Sequence, residues 1–226
     1  MFIDMHCHST SSDDSRATVE QYLKWATVLH QRGYRIDAIV LTEHRKYDGD
    51  ADYSTLSQRY GTLVLKGSEL ETRYGHFLVY GVTERLLKAV NFADVGLDPF
   101  ELMAAARTCG ATLVPAHPGR TGIGLCEFVQ QGIRFPEVSI VETLNGGSRR
   151  GENERAQRLA QERNYRGIGG SDAHFVSALG TCLTHFDATI RDETALVEAL
   201  LSGGFRPVRL EETQDGATPS RQEAAR

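Results

Sequence analysis

Phe2-Ile3-Asp4-Met5-His6-Cys7-His8-Ser9-Thr10-Ser11-Ser12-Asp13-Asp14 opens the chain, and its reading decides how the rest is taken. Phe2 and Ile3 can begin a buried strand. His6 and His8 follow at i and i+2, and residues two apart on a strand share a face. Both imidazoles therefore reach one point, where the strand gives way to a loop. Asp4 precedes them at the same spacing and is expected on the same face, either beside the imidazoles or as a buried strand-start carboxylate. Cys7 falls on the opposite face and reads as core packing. The Ser-rich, acidic loop brings Asp13 or Asp14 back to the same spot. Imidazole and carboxylate together suit zinc, manganese or iron.

A single His-x-His pair is as compatible with two ordinary strand-end histidines as with a metal site. Recurrence along the chain changes that. Thr42-Glu43-His44, Gly67-Ser68-Glu69, Gly75-His76, Ala116-His117-Pro118, Val141-Glu142 and Ser171-Asp172-Ala173-His174 nearly all end short apolar runs. Those runs, Ile36–Leu41, Thr62–Gly67, His76–Gly81, Ala111–Ala116, Val138–Val141, Arg166–Gly170 and Phe205–Leu210, read as strands. Helices alternate with them. Val19, Tyr22, Leu23, Ala26 and Leu29 recur at helical spacing, with Thr18 and Gln21 as a capping box and Gly33 as the stop. Asp98-Pro99-Phe100-Glu101 starts another helix, which stops at Gly110. Shorter or more polar helices are expected at 58–60, 127–130 and 153–163, and a last one from Asp192 to Gly203.

Strands alternating with helices imply an α/β fold with a mostly parallel sheet. Candidate ligands at the ends of many strands favour a closed barrel, which gathers every strand end around one mouth. The expectation is a distorted TIM-like barrel of about seven parallel strands with surrounding helices. It spans residues 1–210, and the polar residues 211–226 follow as a disordered tail.

Composition sets outer limits. The 226 residues are 40% hydrophobic and 24% charged, with a formal net charge of −5. That balance argues against a protein that coats nucleic acid, without excluding a nucleic-acid enzyme. No apolar run approaches the roughly 18 residues that span a membrane, and no signal peptide is read at the start. Cys7, Cys109, Cys126 and Cys182 are scattered without a C-x-x-C pair, which fits free thiols in a reducing cytoplasm. His30, His185 and Trp25 read as structural residues.

In order along the chain, His6-Cys7-His8 with Asp13, then Thr42-Glu43-His44, Ala116-His117-Pro118 and Ser171-Asp172-Ala173-His174 resemble the four motifs of the PHP (polymerase and histidinol phosphatase) superfamily. Glu69 and His76 fall where that family carries a bridging carboxylate and a further histidine. The resemblance spans about residues 1–180. Two departures stand out. Glu43 replaces the commoner Asp, and Asp13-Asp14 replaces Asp-Gly, so motif spacing favours Asp13 as the ligand over Asp14.

The resemblance implies two or three divalent metal ions (Mn, Zn or Fe) at the C-terminal mouth of the barrel. It implies one metal on His6, His8, Glu69 and Asp172, a second on Glu69, His76 and His117, and a third on Asp13, His44 and His174. A carboxylate can bridge two cations where an imidazole cannot, which suits Glu69 to its place. The implied activity is a metal-dependent phosphoesterase in which metal-bound hydroxide attacks phosphorus. His174 or His117 would protonate the leaving group, and Asp172 would hold metal. Arg120, just after His117, is the first candidate to grip phosphate. Arg149 and Arg150, in a Gly-rich stretch, come next, Arg45 is weaker, and Glu142 would orient a ligand histidine. The substrate would be a small phosphorylated metabolite or nucleotide, with no membrane and no obligate protein partner. Alternatives are a 5′–3′ exonuclease on short RNA or DNA, a metal-dependent C–N hydrolase, and a non-catalytic PHP module.

Overall fold

The structure, a computed structural model, describes residues 1–214. Nine strands carry the fold among the described residues: β1 (Phe2–Cys7), β2 (Ala38–His44), β3 (Leu63–Thr72), β4 (Gly75–Tyr80), β5 (Thr112–Pro115), β6 (Ile140–Asn145), β7 (Arg166–Gly170), β8 (Cys182–Phe186) and β9 (Phe205–Arg209). The helices are α1 (Val19–Gln31), α2 (Ser54–Tyr60), α3 (Glu84–Ala89), α4 (Pro99–Cys109), α5 (Leu125–Gln130), α6 (Glu152–Arg163) and α7 (Glu193–Ser202).

Local chemistry starts the helices as expected. Thr18 Oγ1 accepts the Gln21 N–H at 3.2 Å while Gln21 Oε1 accepts the Thr18 N–H at 2.8 Å, closing a capping box on α1. Asp98 Oδ1 accepts the Phe100 N–H at 2.8 Å at the head of α4. Such caps are each worth about 1 kcal/mol. α3 was not anticipated: it has six residues, with Thr83 as its only side-chain cap.

Seven strands form one curled sheet in the order β5-β4-β3-β2-β1-β8-β9, and β6 pairs with β7 in a second. β6 lies beside β5, and β7 beside β1, β8 and β9, so the two-stranded piece spans the open side of the curl. The result is the expected α/β, distorted TIM-like barrel, with mixed rather than uniform strand directions. β1, β2 and β3 run parallel, as do β6 and β7. β4 is antiparallel to β3 and to β5, and β8 to β1 and β9. The reason is visible at Thr72–Gly75, where Thr72 Oγ1 donates to the Gly75 carbonyl at 2.7 Å. So short a turn can only return the chain antiparallel; a parallel neighbour needs a crossover of a dozen residues or more.

Ile3, Met5, Val40, Leu65, Leu78, Tyr80, Val114, Ile140 and Ile168 pack together with α7 residues Leu196 and Leu200. Phe2 and Cys7 pack instead with α1 residues Tyr22 and Leu23. Strict alternation from Met5 would carry His6 to the α1 side. A register irregularity between Asp4 and Cys7 resets the strand, and such bulges re-aim side chains. Asp4 therefore does not join the imidazoles, and of its two readings the buried strand-start carboxylate is the one observed. Its carboxylate accepts the backbone N–H groups of Ser171 at 2.8 Å, Gly180 at 2.9 Å and His6 at 3.3 Å.

The 211–226 stretch does not begin as a tail. Leu210–Thr213 form a 3₁₀ turn in which Thr213 is buried and its Oγ1 accepts the Arg35 N–H at 3.0 Å. The remainder of that expected segment lies outside the described residues. Among the described residues no helix is long and apolar enough to cross a membrane.

Candidate metal centre

β1, β2, β3 and the segments after β5 and β7 all deliver side chains to one mouth. His6 is held there by close backbone packing. A Cβ on Gly170 of β7 would stand 2.4 Å from the His6 Cβ, so only glycine lets the two strands sit this close. After β7 the chain continues alongside β1, with the Asp172 N–H donating to the His6 carbonyl at 2.7 Å and the His8 N–H to the Ala173 carbonyl at 2.9 Å. His117 and Asp172 both take positive φ, +31° and +54°, a region that non-glycine residues enter only when their surroundings fix them. Glu142 supplies part of that restraint by accepting the His117 N–H at 2.6 Å.

Glu69 is the centre of the arrangement. Its Oε1 accepts from His76 Nδ1 at 3.0 Å and His117 Nε2 at 2.9 Å. Its Oε2 lies 3.2 Å from His6 Nε2, 3.3 Å from His8 Nε2 and 3.2 Å from His44 Nδ1. One carboxylate thus faces two sets of imidazoles, one with each oxygen. Asp172 Oδ1 completes the first set, 3.4 Å from both His6 Nε2 and His8 Nε2. Three groups emerge among the described residues: His6, His8, Glu69 and Asp172; Glu69, His76 and His117; and His8, His44 and His174.

The chemistry of the first group fits a divalent cation. His6 Nδ1 donates to Glu142 Oε1 at 3.0 Å, because a carboxylate only accepts. His6 Nε2 is left to face His8 Nε2 at 3.0 Å. A tetrahedron with arms of about 2.1 Å has edges of about 3.4 Å, close to the 3.0–3.4 Å separations from the two imidazole nitrogens to each other and to the two carboxylate oxygens. In the second group, His117 Nδ1 is buried with no hydrogen-bond partner in the structure. All the donors are N and O, with no thiolate among them. His6, His8, Glu69 and Asp172 could hold one cation, Glu69, His76 and His117 another.

Burial and charge oppose each other here. Burial works to lower the His6 imidazole, but Glu142, Asp172 and Glu69 outweigh it and hold it well above its ordinary value. His8 is likewise raised against burial, through its bonds to Asp172 and Glu69. Burial works to raise Glu69 and Asp172, yet the neighbouring histidines hold both well below the usual carboxylate range. At His44 burial wins and pushes the imidazole down to about 4. Burial also raises Asp4, to about 6.

The acidic loop yields one correction. The carboxylate facing His44 and His174 is that of Asp14, whose Oδ2 lies 3.3 Å and 3.2 Å from their Nε2 atoms. Asp13, which motif spacing favoured, instead pairs with Arg45 Nη2 at 3.0 Å. Arg45 is also bonded to Glu71, so its charge is already satisfied. The loop folds back one residue further than the motif suggested because Ser9 and Ser12 are tied to Glu43.

Arg120 stands where a phosphate-binding residue is wanted. Its Nη2 donates to Asp172 Oδ2 at 2.6 Å and to Asn145 Oδ1 at 3.3 Å. It lines two adjoining cavities, one of about 350 Å³ over the ligand cluster and one of about 450 Å³ beside it. Arg149 lines the second. Arg150 is exposed and lines neither. Glu142 bonds to His6, one of the candidate ligand histidines. Three residues escaped the sequence reading. Asn145 Nδ2 joins Glu142 Oε2 at 2.9 Å to Asp172 Oδ2 at 3.3 Å. Ser12 touches two motif residues. Phe175, 60% exposed, lines the larger cavity. Proximity of Asn145 to Glu142 and of Phe175 to His174 in the chain was the only available signal. His30 Nε2 meets the Ile36 carbonyl at 3.0 Å and His185 lies near Asp187, both away from the mouth.

The PHP-associated family model, PHP_C, matches residues 150–204. No curated protein matches the chain by sequence. Among solved structures, PsfC from Pseudomonas syringae PB-5123 is similar with a TM-score of 0.67 and 22% identity, over 94% of this chain and 92% of that one. A two-domain protein from Bacteroides vulgatus ATCC 8482, containing a predicted PHP-like metal-dependent phosphoesterase, gives 0.59 and 23%, over 93% of this chain and 65% of that one. The lesion-specific endonuclease PfuEndoQ from Pyrococcus furiosus gives 0.65 and 14%, over 91% of this chain and 57% of that one. At such identities the structural likeness is one of fold. The comparisons thus give a PHP-associated match over residues 150–204 and a likeness of fold to PHP-like proteins, and the four motif segments gather at the mouth of that fold.

Proposed function

We propose that the chain is a metal-dependent phosphoesterase acting on a small phosphorylated metabolite or a nucleotide. The observation that carries this reading is Arg120, held by Asp172 on the wall shared by the ligand cluster and the larger cavity. A guanidinium beside clustered cation ligands is a suitable grip for a phosphate. The all-N/O donor set supports Mn, Zn or Fe. Bound cations would supply acidified water and would neutralise charge on the phosphoryl oxygens.

The chain's own residues do the rest. Arg120 orients the phosphoryl group over Glu69 and Asp172. Arg149 meets the part of the substrate that extends into the larger cavity. His174 lines both cavities, and its Nδ1 donates to the Asp172 carbonyl at 2.9 Å, so Nε2 is the atom left to face the leaving oxygen and, in the doubly protonated imidazolium form, to hand it a proton. His117 lines only the smaller cavity, with Nε2 bound to Glu69, and is the weaker choice of donor. Arg150 has no part in this reading. The free thiols Cys7, Cys109, Cys126 and Cys182 support a reducing, cytoplasmic setting.

A second reading, a 5′–3′ exonuclease on short RNA or DNA, draws support from Phe175. Its exposed ring at the larger cavity could stack on a base. Hydrolysis by the Mn-loaded protein, over a panel of phosphomonoesters, nucleotides, phosphodiesters and short 5′-phosphorylated RNA, tests both. We expect product release that vanishes in His8→Ala and Asp172→Ala. The preferred member of the panel separates the two readings. No turnover of any member by metal-loaded protein would sink both and bring the C–N hydrolase and non-catalytic readings forward.

A further inference from the structure

Glu43 departs from the family motif, and its surroundings give it a job. It is 2% exposed, and its carboxylate bonds with two serines of the first loop. Oε1 accepts the Ser9 N–H at 3.1 Å and the Ser9 hydroxyl at 2.6 Å, and Oε2 accepts the Ser12 hydroxyl at 2.6 Å. A buried carboxylate without a cation persists only when hydrogen bonds replace its lost water.

Ser12 passes this order on. A hydroxyl has one proton and two lone pairs, and the Ser12 proton is spent on Glu43. One lone pair accepts the His44 N–H at 3.0 Å, and the other faces His8 Nδ1 at 3.5 Å. With only an acceptor offered there, His8 keeps a proton on Nδ1, and Nε2 is the atom left to release its proton to a cation beside Glu69 and Asp172. Ser12 also closes the loop through its N–H to the Ser9 carbonyl at 2.9 Å. Asp14 follows two residues later, against His44 and His174.

We propose that Glu43 and Ser12 form a positioning relay. It fixes the tautomer of His8 and presents Asp14 to the outer histidines, without touching substrate. His6 is oriented by Glu142 directly; His8 is oriented by Glu43 through a hydroxyl. The proposal rests on the metal-binding reading of the site and not on the reaction, so its test measures binding.

The affinity of the full-length chain for Mn²⁺ is measured by competition with a chelating dye, alongside the melting temperature of the metal-free chain. Ser12→Ala removes one oxygen and adds no bulk, so it keeps the fold. It is expected to weaken binding about 10- to 100-fold, the usual effect of losing a group that orients a ligand, with the metal-free melting temperature little changed. Glu43→Gln should weaken binding in the same direction. Ser12→Thr keeps the hydroxyl and should restore affinity to within about threefold of the parent. Parental affinity in Ser12→Ala overturns the proposal, as does a Ser12→Thr variant no better than Ser12→Ala. A parent chain that binds no Mn²⁺ overturns the metal reading and the relay together. Binding without hydrolysis leaves the relay standing and removes only the phosphoesterase reading.

Discussion

The inner and outer halves of the mouth are built from the same side chains but in different media. His6, His8, Glu69 and Asp172 are 0%, 0%, 1% and 8% exposed. On the outer side Asp14 keeps 52% of its side chain in solvent, and His174 27%. Coulomb attraction grows as water is excluded, so the inner residues are expected to hold a cation more tightly than the outer ones. The inner set also sits on strand ends fixed by neighbouring strands, whereas Asp14 depends on a loop. Inner positions are therefore expected to stay loaded, and the outer one to exchange.

The hardest blow to that contrast is Glu69→Gln, which keeps the shape but removes the charge shared by both inner groups. Activity should fall by at least about 100-fold, and metal content after desalting, read by plasma mass spectrometry, should collapse. An equal loss from Asp14→Asn would erase the distinction between the halves.

Next in size is a proton effect. In the metal-free chain His6 and His8 have raised pKa values, so they hold protons to higher pH than ordinary imidazoles. Glu69 and Asp172 are lowered and remain ionised, and His44, at about 4, is neutral near pH 7. A cation entering the inner set must displace protons, and its affinity rises with pH; entry at the outer set displaces none from His44. Calorimetric titration in two buffers of different ionisation heat should show release of about one proton or more for the first, tight cation. A proton-silent tight phase would place that cation outside the inner set.

The smallest expected effect separates neighbours in the loop. Asp14→Asn should weaken the loosest cation about tenfold, while Asp13→Asn, whose exposed carboxylate faces Arg45, should leave it within about twofold. Dye competition on the two variants reads this, and a reversed order would restore Asp13 as the ligand.

The same division explains what could be read from the sequence. Candidate ligands at strand ends were legible because spacing along a strand translates directly into direction. His6, His8, His44, Glu69 and His117 were brought to one mouth by this reading, and Glu142 with them. Asp14 was not, because the path from Ser9 to Asp14 is set by tertiary bonds to Glu43. Asp4 is the buried strand-start carboxylate of its two readings, because a bulge interrupts the alternation that would have set it beside the imidazoles. Strand direction was half legible: the helices between β1, β2 and β3 announce parallel pairing, whereas the two residues between β3 and β4 allow only an antiparallel return. Arg120 was singled out by position after His117 and lines both cavities, whereas Arg150, two residues before the α6 start at Glu152, is exposed and lines neither.

Gly170 gives the site an external gauge. Because even a methyl group there would stand 2.4 Å from the His6 Cβ, the spacing between β1 and β7 and the place of the first histidine are one quantity. A related chain with alanine at this position must have moved β7 outward or aimed its first histidine elsewhere. One glycine codon thus screens sequences of this fold for an inner cation position like the one described, before any of their ligands is inspected.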